Sequence, residues 1–143
     1  MGHLHRSNVV FAIVMALLVV QSSTRIQPDE MAEMKKILYN ACSAKFPVTE
    51  EIRNDLKKSI ISDDPTFKCF LRCWLDEMSL IDEDGIIDGD SIIGMLPENI
   101  KPIIEQAVPI CIKNVKQDGC QAAFEFISCG VKFDPLIMQL LEF

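Results

Sequence analysis

Histidine is nearly absent from this chain of 143 residues. The only two are His3 and His5, so no residue after position 5 carries an imidazole. Without histidine, a domain lacks Ser-His-Asp and Cys-His catalysis, histidine metal ligands and the usual charge switch near neutral pH. We therefore expect no enzyme here, a small secreted phospholipase included, and no cofactor.

Long apolar runs are also scarce, and the single one lies close to the amino terminus. It covers residues 9–20, which is too short to span a hydrocarbon core of ~30 Å. A basic residue precedes it and small polar residues follow it, as in a secretory signal peptide. We expect residues 1–23 to be a signal peptide cleaved near Ser22 or Ser23. Residues 24–143 then form one secreted, extracellular domain with no membrane insertion.

Positive charge is in the minority. The chain has 14 Lys and Arg residues against 21 Asp and Glu residues, a net charge of −7. Of the basic residues only Arg6 lies in the expected signal peptide, so 13 basic and 21 acidic residues would leave the secreted domain at −8. A surface of this sign disfavours nucleic acid and anionic membranes as partners.

All six cysteines follow the expected signal peptide. An even number of cysteines in a secreted chain predicts disulfides, and six allow fifteen pairings. Cys69 and Cys73 are four residues apart in a predicted helix, where Cβ atoms are ~5 to 6 Å apart against the roughly 3.5 to 4.5 Å of a disulfide. Removing the three pairings that contain this bond leaves twelve. Zinc binding is disfavoured because the short paired motifs of a zinc site are missing, and no metal is expected.

Apolar residues recur every three or four positions along most of the chain, which predicts helices. Six helical segments and no strand make the expected fold class all-α. Capping residues, prolines and the ends of the apolar pattern mark their boundaries. The segments are Gln27–Ala44, a helix after Thr49 with Ile52, Leu56 and Ile60 on one face, a helix capped by Asp64, Asp90–Leu96, Ile100–Val115, and a helix capped by Asp118 with Phe124 and Ile127 facing inward.

The carboxyl-terminal segment 131–143 is strongly apolar and contains a second Asp-Pro pair, Asp134 and Pro135. Fully burying four or five of its side chains would contribute roughly 1.5 to 3 kcal/mol each before the cost of ordering them. We therefore expect this tail to dock on the domain, or to form the wall or lid of a cavity.

Acidic residues and glycines cluster between Ile81 and Gly89, a composition similar to that of a calcium-binding EF-hand loop. With Asp84 as the first ligand, however, the third and twelfth positions are Ile86 and Met95, where oxygen ligands are required. The segment is therefore interpreted as a solvated acidic loop.

The cysteines follow the spacing C-x26-C-x3-C-x37-C-x8-C-x8-C, and Leu96-Pro97 precedes the helix of the fourth cysteine. This pattern resembles the insect odorant-binding and pheromone-binding family over essentially the whole chain after the signal peptide. The resemblance implies six helices around an apolar cavity and a carrier that takes odorants or pheromones through aqueous fluid, such as sensillar lymph, to chemosensory receptors. It also implies three interlocked disulfides: Cys42 with Cys73, Cys69 with Cys120, and Cys111 with Cys129.

The resemblance and the helix phases together predict the ligand site. Its expected residues are mostly large and apolar, and each has an ordinary core position as its alternative. They are Phe67, Phe70, Trp74, Met78, Met95, Ile104, Val108, Phe124, Ile127, Leu140 and Phe143. The expected partners are a small apolar ligand and a chemosensory receptor, and the expected state is a monomer or a weak homodimer.

Moth-type pheromone-binding proteins release ligand at acid pH, often through histidines, so acid release here would need the carboxylates of Asp82, Glu83, Asp84, Asp88 and Asp90, or the terminal one at Phe143. Release by mass action is the alternative.

A secreted helical domain with three disulfides is also compatible with a non-olfactory carrier of a hydrophobic hormone or lipid, or with a secreted protein-binding or inhibitor module.

Overall fold

The structure, a computed structural model, describes residues 28–115 and 119–141. Within these ranges the chain forms six α-helices and one 3-10 helix, with a single antiparallel bridge between Ile81 and Ile87 and no strand. The elements are α1 (Pro28–Lys45), α2 (Glu50–Leu56), α3 (Pro65–Glu77), α4 (Gly89–Met95), α5 (Lys101–Ile112), α6 (Gly119–Phe133) and the 3-10 helix Pro135–Leu140. The predicted all-α class is confirmed. The predicted signal peptide lies outside the described residues.

Three of the α-helices have an N-cap residue whose side-chain oxygen accepts a backbone hydrogen bond. Thr49, Asp64 and Asp88 precede α2, α3 and α4, and each accepts a hydrogen bond from the backbone N–H three residues further on. These bonds satisfy donors that a helix start otherwise leaves without a partner. Pro65 follows Asp64 at the first helical position, where a missing N–H is harmless. The predicted cap at Asp118 lies outside the described residues.

Some helix ends differ from the prediction. Helix α2 ends at Leu56, so Ile60 lies beyond it and is 50% exposed instead of continuing its apolar face. The reason is local, because Ser59 adopts a φ of 59° in the left-handed region, which cannot continue an α-helix. Helix α5 likewise ends at Ile112 rather than Val115, and α4 begins at Gly89 because Asp88 caps it.

Helix α3 forms the centre of the domain. It packs against both α1 and α6, and its residues Phe67, Phe70 and Leu71 are fully buried. Helix α6 in turn contacts α5 and the 3-10 helix, and α5 contacts α4. Since burying each large apolar side chain contributes roughly 1.5 to 3 kcal/mol, this central packing sets where the surrounding helices lie.

Three disulfides connect the same helices. Each joins two different elements: Cys42 of α1 with Cys73 of α3, Cys69 of α3 with Cys120 of α6, and Cys111 of α5 with Cys129 of α6. The Cα atoms of the three pairs are 5.7, 4.5 and 5.5 Å apart. These are the pairs that the resemblance implies. Four of the six α-helices are thereby held together covalently.

The acidic segment between α3 and α4 is a tight turn held by its own groups. Oδ1 of Asp82 accepts a hydrogen bond of 2.7 Å from the N–H of Ile86, and the guanidinium of Arg72 on α3 donates to the Asp82 carbonyl at 3.0 Å. Gly85 has a φ of 82°, which side chains of L-residues rarely adopt, and it packs against Gly119 of α6. At least one carboxylate of this loop therefore serves its fold.

The carboxyl-terminal tail folds back onto the domain. Helix α6 continues to Phe133, and Asp134 then caps the 3-10 helix by accepting a hydrogen bond of 2.9 Å from the N–H of Leu136. The apolar side chains of the tail are divided between core and surface, with Ile137, Met138 and Leu141 buried. The tail thus adds to the apolar interior of the domain.

Candidate ligand-binding cavity

A cavity of about 150 Å³ lies between the helices. Every described α-helix except α2 contributes to its wall, together with the 3-10 helix and four residues that lie just beyond helix ends, Met78, Leu80, Leu96 and Leu141. The lining is almost wholly apolar and consists of Met31, Met34, Lys35, Leu38, Trp74, Leu75, Met78, Leu80, Ile92, Met95, Leu96, Ile104, Ala107, Val108, Cys111, Phe126, Ile127, Gly130, Ile137, Leu140 and Leu141. A cavity of roughly 150 Å³ lined by Leu, Ile and Phe is known to hold benzene, so this one suits a small apolar molecule.

Helix α3 supplies the tryptophan of the cavity. Met78, the residue that directly follows α3, lies four positions after Trp74 and lines the same cavity. Trp74 is 4% exposed, and the centre of its ring lies 5.8 Å from that of Phe70. Since the chain has one tryptophan, its fluorescence reports directly on the contents of the cavity.

Helices α4 and α5 form a further wall. Residues of α5 at spacings of three and four make one apolar stripe, Ile104, Ala107, Val108 and Cys111. Helix α4 approaches this stripe closely at Gly89, where an added Cβ would lie only 2.7 Å from Cγ1 of Val108. This contact brings Ile92 and Met95 of α4 to the cavity.

Seven of the eleven predicted site residues line this cavity: Trp74, Met78, Met95, Ile104, Val108, Ile127 and Leu140. Phe67 and Phe70 do not, since their rings stack on each other at 5.7 Å and are fully buried nearer the start of α3. Phe124 does not line it either, because it is half-buried beneath the ammonium of Lys68, 4.6 Å from the ring centre. Phe143 lies outside the described residues.

Helix α1 contributes cavity residues that the prediction omitted. Met31, Met34, Lys35 and Leu38 lie within the predicted first helix, but none of them was among the expected site residues. A spacing of three and four shows that a face is buried, but not whether a packed neighbour or an open space lies opposite. For the same reason the prediction omitted Leu75 and Ala107, which line the cavity beside predicted residues of α3 and α5.

Lys35 is the one charged residue among the described residues that line the cavity. Its side chain is half-buried, and its Nζ donates a hydrogen bond of 2.5 Å to the main-chain carbonyl of Gln139. This bond connects α1 to the 3-10 helix, although the two residues are 104 positions apart in the sequence. The tail is therefore held to the domain by a polar contact as well as by its buried apolar side chains.

Asp88, which caps α4, has a pKa below its ordinary value of 3.8. The main cause is the hydroxyl of Ser91, which donates to Oδ2 at 2.6 Å, followed by the Ser91 N–H, which donates to Oδ1 at 3.0 Å. Both bonds favour the ionised carboxylate. A lowered pKa in the folded protein means that this capping contribution is present above pH 3.8 and is lost as the pH falls through the lower folded value.

We therefore expect Asp88 to leave ligand affinity unchanged between pH 7 and about pH 4.5, contrary to the hypothesis that its protonation releases ligand at mild acidity. Asp88→Asn keeps an acceptor for the cap but does not titrate, so variant and wild type should bind an apolar probe equally in this range. A titration of probe affinity against pH checks this. An affinity drop near pH 5 in the wild type that Asp88→Asn abolishes would contradict it.

A sequence profile described as the PBP/GOBP family matches residues 25–132, which include all the cysteines and most of the cavity lining. The chain belongs to the PBP/GOBP family. Members of this family are carriers of small ligands and not enzymes. The resemblance drawn from the cysteine spacing is thus confirmed, and so is the expectation that the chain is not an enzyme.

Relatives of this PBP/GOBP protein include General odorant-binding protein 69a of Drosophila melanogaster, which is 28% identical over 127 residues, 85% of this chain and 86% of the relative. The crystal structure of the medfly odorant-binding protein CcapOBP22/CcapOBP69a is 33% identical, covers 76% of this chain and 94% of its own, and has a TM-score of 0.66. Odorant Binding Protein 7 from Anopheles gambiae, solved with four disulfide bridges and an azo compound, shares the fold with a TM-score of 0.71, 21% identity and coverage of 81% and 94%.

Along residues 28–115 and 119–141, no helix has both the length and the apolar character needed to cross a membrane.

Proposed function

We propose that this PBP/GOBP protein is a secreted carrier that holds one small apolar molecule, an odorant or a pheromone, and delivers it through aqueous fluid to a chemosensory receptor. The cavity carries the proposal, because its lining is apolar and its walls are crosslinked. Burying ~200 Å² of apolar ligand surface contributes roughly 5 kcal/mol at 25 cal/mol per Å², which with a few further contacts supports micromolar binding.

Four methionines favour a broad choice of ligands. Met31 and Met34 of α1, Met78 at the end of α3 and Met95 of α4 all line the cavity. Methionine has three rotatable bonds and a polarizable sulfur, so a wall built from it adapts to ligands of different shape. We expect related apolar molecules to bind with similar affinity rather than one with high selectivity.

The experiment that tests the proposal follows Trp74 fluorescence and the displacement of an apolar fluorescent probe. The oxidised protein without residues 1–23 is titrated with alcohols, esters, aldehydes and fatty acids. Micromolar competition by some of these compounds, with a change in Trp74 emission, is the expected result. No probe uptake by a folded protein without free thiols would contradict the proposal and favour a protein-binding or inhibitor module.

Residues 1–23 are proposed to be the signal peptide that places the carrier outside the cell. Their composition supports this, with a basic residue, an apolar run and small polar residues in that order. The tissue that secretes the protein separates an olfactory carrier from a carrier of a hydrophobic hormone or lipid. Secretion into the fluid around chemosensory neurons is the expected result.

The tail is proposed to close one side of the ligand site. Ile137, Leu140 and Leu141 line the cavity, and they follow Asp134 directly. Ending the chain after Asp134 leaves α6 whole but removes these three side chains, so we expect the ligand to dissociate faster and to bind about tenfold more weakly. Stopped-flow dilution of the probe complex measures both.

Leu136→Ser is the matched control for this truncation, because Leu136 belongs to the same 3-10 helix but is exposed and does not line the cavity. It should bind like the wild type. Wild-type affinity and dissociation rate in a folded truncated protein would show that the tail packs outside the ligand site.

A further inference from the structure

The methionines that follow the proposed signal peptide are concentrated at the cavity. After residue 23 the chain has five, of which Met31, Met34, Met78 and Met95 line the cavity and Met138 does not. Most of the lining is buried, but each of the four cavity methionines is half-buried, whereas Met138 is 3% exposed. Solvent therefore reaches part of every cavity methionine, while the methionine of the ordinary core is closed to it.

We propose that these four methionines are a modification site for peroxides, and that their oxidation to sulfoxides stops the cavity from holding an apolar ligand. The proposal rests on the proposed carrier function and adds a way in which that function is switched off. In the reaction the thioether sulfur attacks one oxygen of the peroxide, the O–O bond breaks and an S–O bond forms, so the sulfur loses two electrons. The second oxygen takes up the hydrogen of the first and leaves as water, or as an alcohol where the oxidant is an organic hydroperoxide.

The other sulfur atoms of the domain do not compete for the oxidant. All six cysteines are paired in disulfides, so no thiol is present to react first. Hydrogen peroxide is only slightly larger than water, so it reaches a half-buried thioether from the solvent. Met138 becomes accessible only when the domain opens locally, which is a rarer event for a core residue.

A sulfoxide changes what the cavity wall can hold. Oxidation converts a flexible apolar side chain into a polar one whose oxygen accepts hydrogen bonds. In the empty cavity water can donate to this oxygen, because the side chain is half-buried. An apolar ligand displaces that water and offers no hydrogen bond in return, so covering the oxygen costs affinity. By the same geometry, a ligand that is already bound covers the sulfur atoms and slows their oxidation.

Peptide mass spectrometry after treatment with hydrogen peroxide tests where oxidation occurs. The disulfide-bonded protein without residues 1–23 is treated in the presence and absence of 1-octanol. We expect the four cavity methionines to be oxidised well before Met138, which serves as the internal reference. With 1-octanol at ten times its Kd, about one protein in eleven has an empty cavity, so oxidation of the four should slow about tenfold.

Calorimetry with 1-octanol tests the effect on binding. Peroxide treatment should raise the Kd of the wild type about tenfold or more while circular dichroism still shows the helices. Methionine sulfoxide reductases should then restore the original Kd, because sulfoxide formation is reversible.

A fourfold leucine variant separates the cavity methionines from other targets of peroxide, since leucine and methionine have similar volumes. It combines Met31→Leu, Met34→Leu, Met78→Leu and Met95→Leu, and peroxide should leave its Kd within about twofold of its own untreated value, since no cavity sulfur remains. Met138→Leu is the matched control, because Met138 does not line the cavity. It should lose affinity on oxidation as the wild type does.

Oxidation of the four cavity methionines no faster than that of Met138, or at the same rate with and without 1-octanol, would overturn the proposal. An unchanged Kd with all four converted to sulfoxides would do the same. So would a loss of binding together with a loss of helix, since oxidation would then only unfold the protein. In each of these cases 1-octanol binding by the untreated wild type leaves the carrier function standing. If the untreated protein binds neither 1-octanol nor the apolar probe, the carrier function fails and this proposal fails with it.

Discussion

With tryptophan in place of Ala107, affinity for apolar ligands is expected to fall about 60-fold, because the indole ring would fill the cavity. Ala107 is 2% exposed and lies on the cavity stripe of α5. Losing contact with about half of ~200 Å² of apolar ligand surface removes roughly 2.5 kcal/mol at 25 cal/mol per Å². The free energy of unfolding should fall by no more than about 1 to 3 kcal/mol, the usual cost of overpacking.

Calorimetry with an apolar ligand measures this effect without interference from the second tryptophan. Ile110→Trp is the matched control, since Ile110 belongs to the same helix, is 50% exposed and does not line the cavity. It should bind like the wild type. Unchanged affinity in a folded Ala107→Trp protein would place the ligand elsewhere on the molecule, and the proposed function would lose its site.

Removing the disulfide between Cys42 and Cys73 is expected to lower the free energy of unfolding by roughly 3 to 4 kcal/mol, the chain-entropy estimate for a closed loop of this size. The two cysteines are 31 residues apart. The bond also joins α1 to α3, and both helices supply cavity lining, Met31, Met34 and Leu38 from α1 and Trp74 and Leu75 from α3. The double variant Cys42→Ala with Cys73→Ala should therefore bind ligand more weakly as well.

A matched double variant removes the bond between Cys69 and Cys120, which joins α3 to α6 farther from the lining, since Cys69 lies five residues before Trp74, whereas Cys73 adjoins it. It closes a longer loop, of 51 residues, so it should cost similar stability but less ligand affinity. Urea unfolding gives the stabilities, and probe titration at a temperature where both variants are folded gives the affinities. Wild-type affinity in the variant without the bond between Cys42 and Cys73 would show that this bond stabilises the protein only through the unfolded chain.

The local signals in the sequence predicted the helices well. Thr49 and Asp64 begin helices where expected, because a side-chain oxygen before an apolar periodic segment satisfies backbone donors in any context. The end of α2 was predicted wrongly, since the apolar residue Ile60 fits the period while the backbone has already turned at Ser59. Periodicity records which side chains are apolar and does not record where the backbone leaves the helix.

The cavity was predicted only in part, for a different reason. Phe67, Phe70 and Trp74 share the apolar character of α3, yet the first two fill the core and the third lines the cavity. Their difference depends on what lies opposite each turn of α3, which is set by contacts with distant helices. Lys35 was missed because a charged residue on a mostly solvent-facing helix is ordinarily exposed.

The sequence by itself determined the all-α class, the number and spacing of the cysteines and the absence of histidine chemistry. It also determined the membership of the PBP/GOBP family, which the cysteine spacing predicts. These properties depend on residue type and on separation along the chain. Only the tertiary structure decided which apolar faces enclose space, that the tail supplies Ile137, Leu140 and Leu141 to this space, and that Lys35 belongs to its lining. The physical reason is that a cavity is the space left between packed elements, so its position depends on several helices at once.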